Sequence, residues 1–155
     1  MLGLNENKKT KLICELFCGS GTITLPLLKK LYQIHAFELD KESLSSLDIA
    51  ARKESFGNRV KTKVRDLKNF PLTSDELSKY DAIIVDPPRS GAKLQFLNIA
   101  RSNVSIIVSI SCNVNTFVRD AKILIGSNYE LKWVQPIDQF LFSAHVELVA
   151  IFQLK

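Results

Sequence analysis

The chain has few of the residues that build disulfide frameworks and zinc sites. Its 155 residues include three cysteines and two histidines, and no two cysteines have the Cys-x-x-Cys spacing. An odd cysteine count without such a pair argues against both a disulfide scaffold and a structural zinc site. We therefore expect no resident metal and a reducing compartment.

Long hydrophobic runs are also missing. No apolar run approaches the ~20 residues of a membrane helix, and the polar start of the chain has no signal-peptide core. At 155 residues with 46% hydrophobic residues, the chain suits one globular domain. We expect a single cytoplasmic domain over residues 1–155, of which 1–11 form a loose lead-in.

Acidic residues are outnumbered by basic ones, 16 to 21, which gives a formal charge of +5 and a pI near 9.2. This balance favours a polyanionic partner without requiring one. Basic residues concentrate in several segments, of which 59–65 is the densest. A solvated face explains such a segment as well as a nucleic-acid surface does.

Apolar periodicity predicts strands that alternate with helices. The expected strands are 12–16, 34–37, 60–64, 82–85 and 104–110, and the expected helices are 23–31, about 41–56, 74–79, 94–100 and 115–125. In the second helix the apolar stripe comprises Leu44, Leu47, Ile49 and Ala51. Strands 129–134 and 146–154 then follow with no helix between them. The fold class is therefore α/β, a doubly wound and mostly parallel seven-stranded sheet with an antiparallel last strand and helices on both faces.

A glycine loop follows the first predicted strand. Gly19 and Gly21 let the backbone turn tightly beside a ligand, and Glu38 closes the second strand, where an acid can accept hydrogen bonds from ribose hydroxyls. The loop lacks the third glycine of a dinucleotide fingerprint and the Lys-Ser/Thr of a phosphate loop, which disfavours NAD and ATP. S-adenosylmethionine is the better candidate, with Glu15, Glu38 and Asp66 around it.

Asp86-Pro-Pro-Arg89 ends the apolar strand 82–85. The prolines can simply end the strand, with Asp86 and Arg89 as a surface pair worth about 0 to 1 kcal/mol. Ligands, however, bind at the carboxyl ends of parallel strands. There a carboxylate and a guanidinium can read the edge of a planar base or hold a phosphate.

Cys112 and Glu147 are the candidate nucleophile and general base. Cys112 lies between a strand and a helix, where backbone amides favour the thiolate, although cysteine is often only a small buried hydrophobe. Glu147 begins the last strand and reaches the same edge as Cys112 if that strand is antiparallel. A buried acid there needs a partner or a task. For His145, core packing and function remain equally open.

Together these motifs resemble the RNA uracil-C5 methyltransferases, which make 5-methyluridine in tRNA or rRNA. The similar segments are 15–27, 86–92, 111–113 with 119–120, and 145–147. The resemblance implies the class I S-adenosylmethionine-dependent methyltransferase fold, with RNA as the partner and S-adenosyl-L-methionine as the cofactor. It also implies a set of cofactor-binding residues: Glu15, Phe17, Gly19, Gly21, Glu38, Asp66 and Asp86.

By this resemblance, the Cys112 thiolate adds to C6 of uracil, and the resulting enolate takes a methyl group at C5. Glu147 then removes the C5 proton so that the thiolate can leave. Asp86 and Arg89 match residues that orient and polarise the uracil. The target base must be flipped or single-stranded to enter such a pocket.

The chain departs from the family pattern in several places. It has no match to the family's N-terminal RNA-binding domain, central segment, Phe-x-Gln segment or iron–sulfur cysteines. Val114 replaces a proline that would preorganise a helix start, and residues 141–144 also differ. We therefore expect a compact catalytic domain, for which a partner protein or self-association could supply an RNA-binding surface. The alternatives are a cofactor-binding remnant that needs a partner protein to present RNA or no longer catalyses, and an amino-group methyltransferase, since Asp-Pro-Pro occurs there too.

Overall fold

The computed structural model describes residues 11–30, 32–138 and 146–155. The strands of this part of the chain are β1 (Leu12–Leu16), β2 (Gln33–Glu38), β3 (Val60–Val64), β4 (Ala82–Val85), β5 (Ile106–Ser111), β6 (Tyr129–Ile137) and β7 (Glu147–Leu154). The helices between them are α1 (Thr24–Leu28), α2 (Lys41–Lys53), α3 (Ser74–Leu77), α4 (Lys93–Ala100) and α5 (Val114–Ile125). The predicted lead-in, up to residue 10, and His145 lie outside the described residues.

The strands form one sheet in the order β3-β2-β1-β4-β5-β7-β6. All pairs from β3 to β5 are parallel, and β7 is antiparallel to both β5 and β6. The predicted α/β fold, with a mostly parallel sheet and a reversed last strand, is confirmed. The strand order reverses between β1 and β4, and the crevice at such a switch point is where ligands bind in open α/β sheets.

Two apolar layers cover the central strands. All four residues of β4 are buried, with Ile83 and Val85 in one layer and Ala82 and Ile84 in the other. The first layer includes residues of α4 and α5, and the second includes Leu44 and other residues of α2. Helices therefore cover both faces. β3 is an edge strand with Lys61 and Lys63 exposed, as its alternation of apolar and basic residues predicts.

The structure corrects some of the predicted boundaries and faces. Ile49 is 53% exposed and does not belong to the apolar stripe of α2. At 100° per residue, Ile49 lies about 200° around the helix from Leu47, whereas residues three or four apart share a face. α1 ends at Leu28 instead of 31, and β6 runs beyond 134 to Ile137.

Among the described residues, no helix has both the length and the apolar character needed to cross a membrane.

Candidate active site

Strand register brings Cys112 and Glu147 to the same edge of the sheet. Ser111 of β5 pairs with Leu148 of antiparallel β7, and the next residues along the two strands are Cys112 and Glu147. Cys112 is half-buried and directly precedes Asn113, whose side chain caps α5 by accepting from the N–H of Asn115 at 3.0 Å. The expected placement of both residues at this edge is therefore observed.

Asp86 joins this pair from the end of β4. Burial, followed by the negative charge of Glu147, raises the pKa of Asp86 to about 6. Because the repulsion between two carboxylates decays with distance, Asp86 lies within range of the charge of Glu147. Arg89, predicted to act with Asp86, is exposed, and it does not line the cavities that the described residues 11–30, 32–138 and 146–155 are seen to form next to Phe17 and Pro88.

Glu15 is a buried acid beside Asp86. It is 1% exposed, and its Oε2 accepts a hydrogen bond from the Thr24 hydroxyl at 2.7 Å. Burial raises the pKa of Glu15 to about 7; the Thr24 hydrogen bond opposes this shift and the charge of Asp86 adds to it. The charge of Asp86 therefore acts on Glu15, and the charge of Glu147 acts on Asp86. A positively charged ligand would relieve the repulsion between these carboxylates.

The glycine loop leaves space next to these acids. Gly19 and Gly21 have φ values of 52° and 91°, in the left-handed region that glycine tolerates best. A Cβ on Gly21 would collide with the side chain of Leu47, whereas a Cβ on Gly19 would meet nothing within 4 Å. The absence of a side chain at Gly21 thus lets α2 pack closely against the loop, whereas Gly19 borders open space. The Gly19 N–H donates to Glu38 Oε2 at 3.1 Å.

A cavity of about 350 Å³ opens between the loop and the ends of β2, β3 and β4. Its walls combine acidic and apolar side chains, together with basic ones: Phe17, Glu38, Leu39, Arg65, Asp66, Leu67, Lys68, Asp86 and Pro88. Apolar walls with a few acids suit a nucleoside, which has a flat base and ribose hydroxyls that donate hydrogen bonds. The residues present therefore fit the nucleoside part of S-adenosylmethionine.

Four of the residues predicted to bind the cofactor line this cavity, namely Phe17, Glu38, Asp66 and Asp86. The Asp66 carboxylate already accepts from the backbone N–H groups of Lys68 and Asn69, both at 3.1 Å. It also accepts from the Asn69 amide at 2.7 Å. A second cavity of about 350 Å³ adjoins the first and is also lined by Lys93 and Arg119. The two cavities share Phe17, Leu67, Lys68 and Pro88.

Sequence reasoning did not predict how α5 holds the loop after Asp86. The Arg89 carbonyl accepts from the Thr116 hydroxyl at 3.1 Å and from the Asn113 amide at 3.3 Å. Arg119 Nη2 donates to the Ser90 carbonyl at 3.1 Å. The available signal was the Arg119-Asp120 pair, which belongs to the family pattern but carries no role that spacing alone reveals.

A family model described as tRNA (Uracil-5-)-methyltransferase matches residues 2–154. The chain belongs to this family. An RNA methyltransferase of Agrobacterium fabrum is 46% identical over 145 residues, which cover 94% of this chain and 35% of the relative. One from Caulobacter vibrioides is 36% identical over 151 residues, covering 97% of this chain and 36% of that protein. The chain thus spans about a third of the length of these family members.

Solved structures with the same fold include the tRNA (uracil-54, C5)-methyltransferase of Pyrococcus abyssi in complex with S-adenosyl-L-homocysteine. Its TM-score is 0.75 at 28% identity, over 94% of this chain and 34% of that one. The geranyl diphosphate C-methyltransferase of Streptomyces coelicolor reaches the same TM-score, 0.75, at 9% identity, over 99% of this chain and 75% of that one. The second likeness concerns the fold alone, so the choice of substrate must come from the residues of the site.

Proposed function

We propose that this chain is the catalytic part of an S-adenosylmethionine-dependent RNA methyltransferase that methylates C5 of uridine through a covalent bond to Cys112. One observation carries the proposal: the β5–β7 register sets Cys112 beside Glu147, with Asp86 coupled to Glu147. A thiol and a carboxylate on adjacent strands are the pair that addition and elimination at a pyrimidine need. Family membership and the likeness to a tRNA (uracil-54, C5)-methyltransferase support it.

The cofactor in this proposal is S-adenosyl-L-methionine, which supplies the methyl group when bound. Phe17, Glu38 and Asp66 would hold its nucleoside in the cavity beside Gly19. Asp86 also lines this cavity, and its negative charge attracts the cationic end of such a cofactor, whereas Glu15 is buried and lines neither cavity.

Cys112 opens the reaction as a nucleophile. Its thiolate forms a bond to C6 of uracil, and the C5–C6 π electrons move onto the C4 carbonyl oxygen to give an enolate. The enolate makes C5 nucleophilic enough to accept a methyl group. Asp86 and Arg89 orient the base during this step.

Glu147 closes the reaction as a general base. Its carboxylate removes the C5 proton, the electron pair re-forms the C5–C6 double bond, and the C6–S bond breaks to return the Cys112 thiolate. The proton on Glu147 then passes to solvent. The product is 5-methyluridine, and the chain returns to its starting state.

RNA substituted with 5-fluorouridine tests this mechanism, because fluorine at C5 cannot be removed as a proton and the adduct persists. We expect mass spectrometry to find the nucleotide on Cys112 when tRNA or rRNA of this kind is incubated with the chain and S-adenosylmethionine. Cys112→Ala should give no adduct. Cys14→Ala should still give one, because burial holds the pKa of Cys14 well above its ordinary value. Absence of adduct with both RNAs would contradict the mechanism.

The alternative of an amino-group methyltransferase makes the opposite prediction for Cys112→Ala, which would still transfer methyl groups.

The way in which RNA is presented is also part of the proposal. If a second copy of the chain or a partner protein presents RNA, the adduct yield will rise more than linearly with chain concentration or on addition of cell extract. A linear dependence and no response to extract would indicate that the chain acts alone.

A further inference from the structure

A third cavity, of about 300 Å³, lies beside β2 and β3 and shares no lining residue with the two cavities at the site. Three lysines line it, Lys61 and Lys63 from β3 and Lys79 from the segment after α3. We call this cavity, with Lys61, Lys63 and Lys79, the lysine groove. It is on the face of the sheet opposite α2, because the Phe37, Leu72 and Tyr80 that line it belong to the other apolar layer.

Strand register explains why the two β3 lysines point into one cavity. His35 of β2 pairs with Lys61, and Phe37 pairs with Lys63. Alternate residues of a strand share a face, so both lysines project on the side of His35. Lys79 reaches the same place from another element, with its Nζ 5.2 Å from the centre of the Tyr80 ring.

The groove keeps an excess of positive charge, although the charge of Lys63 also acts on Glu76, the acid that lines it. Within residues 11–30, 32–138 and 146–155, none of the three lysines has a carboxylate within 4.0 Å. The acid of the groove, Glu76, accepts from the Thr73 N–H at 2.9 Å and lies 3.6 Å from Arg65. Lysines on an edge strand do discourage unwanted strand pairing, but this reason does not cover Lys79, which is not on a strand.

The pKa of His35 reflects the positive electrostatic potential inside the lysine groove. Its Nδ1 lies 3.0 Å from the Tyr80 hydroxyl. Burial, then the charges of Lys61 and Lys79, lower the pKa of His35 from its ordinary value. The charges of Lys61 and Lys79 therefore extend to His35, and the groove holds several ammonium donors in a field that attracts anions.

We propose that the lysine groove binds the phosphodiester backbone of single-stranded RNA. This inference rests on the proposed function, because it assigns a surface for the RNA that flanks the target base. Lysine binds phosphate as a point charge, and a cationic groove that follows the backbone is how single strands are bound without sequence preference. β3 leads directly from Lys61 and Lys63 to Arg65 and Asp66, which line the cofactor cavity.

The test is fluorescence anisotropy of a labelled oligouridylate of about 15 nucleotides, titrated with the chain over a series of salt concentrations. Each phosphate contact to a single strand contributes about 0.7 to the slope of log affinity against log salt. We expect Lys61→Gln/Lys63→Gln to reduce that slope by about 1.4 and to weaken binding about tenfold at low salt. Lys79→Gln should reduce the slope by about 0.7.

The matched control is Arg52→Gln/Lys53→Gln, which removes the same charge from exposed positions of α2 on the opposite face. We expect this variant to bind with the native slope. A second readout is the NMR titration of His35. Phosphates beside Lys61 and Lys79 would offset their charge, so the pKa of His35 should rise when the RNA binds.

The groove proposal is wrong if the chain does not bind the oligonucleotide, if the groove variants keep the native slope, or if the control variant loses as much as they do. Its failure is distinguishable from failure of the proposed function. A native chain that forms the Cys112 adduct, with groove variants that bind RNA normally, overturns the groove alone. A native chain that binds RNA through the groove but never forms the adduct overturns the mechanism alone.

Discussion

Asp120 of α5 accepts a hydrogen bond from the backbone N–H of Ala92 at 2.9 Å, which ties the helix after Cys112 to the loop after Asp86. Asp120 is 2% exposed, and its other oxygen accepts from Arg119 Nε at 2.8 Å. Gly91 lies against both side chains, with a φ of 70°, and a Cβ there would collide with Arg119. The loop and the helix therefore form one packed unit, on which the relative positions of Asp86 and Cys112 depend.

Asp120→Ala tests this unit. The change leaves the Ala92 N–H without its acceptor and Arg119 without its carboxylate partner, so we expect the free energy of unfolding to fall by about 1 to 3 kcal/mol. The rate of adduct formation at Cys112 should also fall under conditions where the variant is fully folded. Urea unfolding and the 5-fluorouridine assay measure the two effects. Asn115→Ala, an exposed change on the same helix, is the control, and equal behaviour of the two variants would show that the contact has no positioning role.

The two glycines of the first loop should respond differently to alanine. In Gly21→Ala the new Cβ collides with Leu47, and alanine must also adopt a φ of 91°. We therefore expect the free energy of unfolding to fall by more than the roughly 1 to 3 kcal/mol that a strained backbone alone costs. In Gly19→Ala the Cβ enters open space, so the stability loss should stay near 1 to 2 kcal/mol. Cofactor affinity should still fall because the methyl group occupies that space.

Thermal unfolding and calorimetry with S-adenosyl-L-homocysteine separate the two glycines. If Gly19→Ala bound this ligand as tightly as the native chain, the open space beside Gly19 would not be part of the cofactor site.

Burial of Glu15 predicts the direction in which stability changes with pH. The pKa of Glu15 is raised from 4.5 to about 7, so between these values the folded chain holds a proton that the unfolded chain releases. The free energy of unfolding should therefore fall as pH rises through this window, by about 3 kcal/mol for Glu15 alone. Asp86, whose pKa is raised to about 6, acts in the same direction.

Glu15→Gln isolates this contribution, because glutamine retains a carbonyl oxygen that can accept from Thr24. Urea unfolding at about pH 5 and about pH 8 should show the variant gaining stability relative to the native chain at the higher pH. An equal difference at both pH values would mean that Glu15 is not held protonated in the folded chain.

Much of the fold was predictable because the strands are short, apolar and separated by clear breaks. β4 is continuous and apolar because it is covered on both faces, and β3 alternates because it lies at the edge. The error at Ile49 came from assigning an apolar residue to the nearest stripe without its angle around the helix. The greater length of β6 depends on pairing with β7 up to Ile137. Gln135 and Pro136 conceal this extension in the sequence, because proline lacks the N–H of a strand ladder.

The sequence was enough to predict which site residues lie at the ends of neighbouring strands. An antiparallel last strand was enough to expect Glu147 near Cys112, and the motif order pointed to Asp86. The hydrogen bonds between α5 and the loop at 89–92 were not predictable, and neither was the presence of Lys79 and Lys61 in one cavity. Both depend on side chains from distant elements, whose meeting is fixed only when helices and strands pack.

The most direct test of the central claim uses Glu147→Gln with ordinary uridine-containing RNA and S-adenosylmethionine. Without a base to remove the C5 proton, elimination stops, and the methylated nucleotide stays bonded to Cys112. We predict that mass spectrometry will find this methylated adduct on Cys112 in Glu147→Gln, 5-methyluridine without accumulated adduct in the native chain, and neither in Cys112→Ala. Methyl transfer by Cys112→Ala, or normal turnover by Glu147→Gln, would contradict the assignment of nucleophile and base.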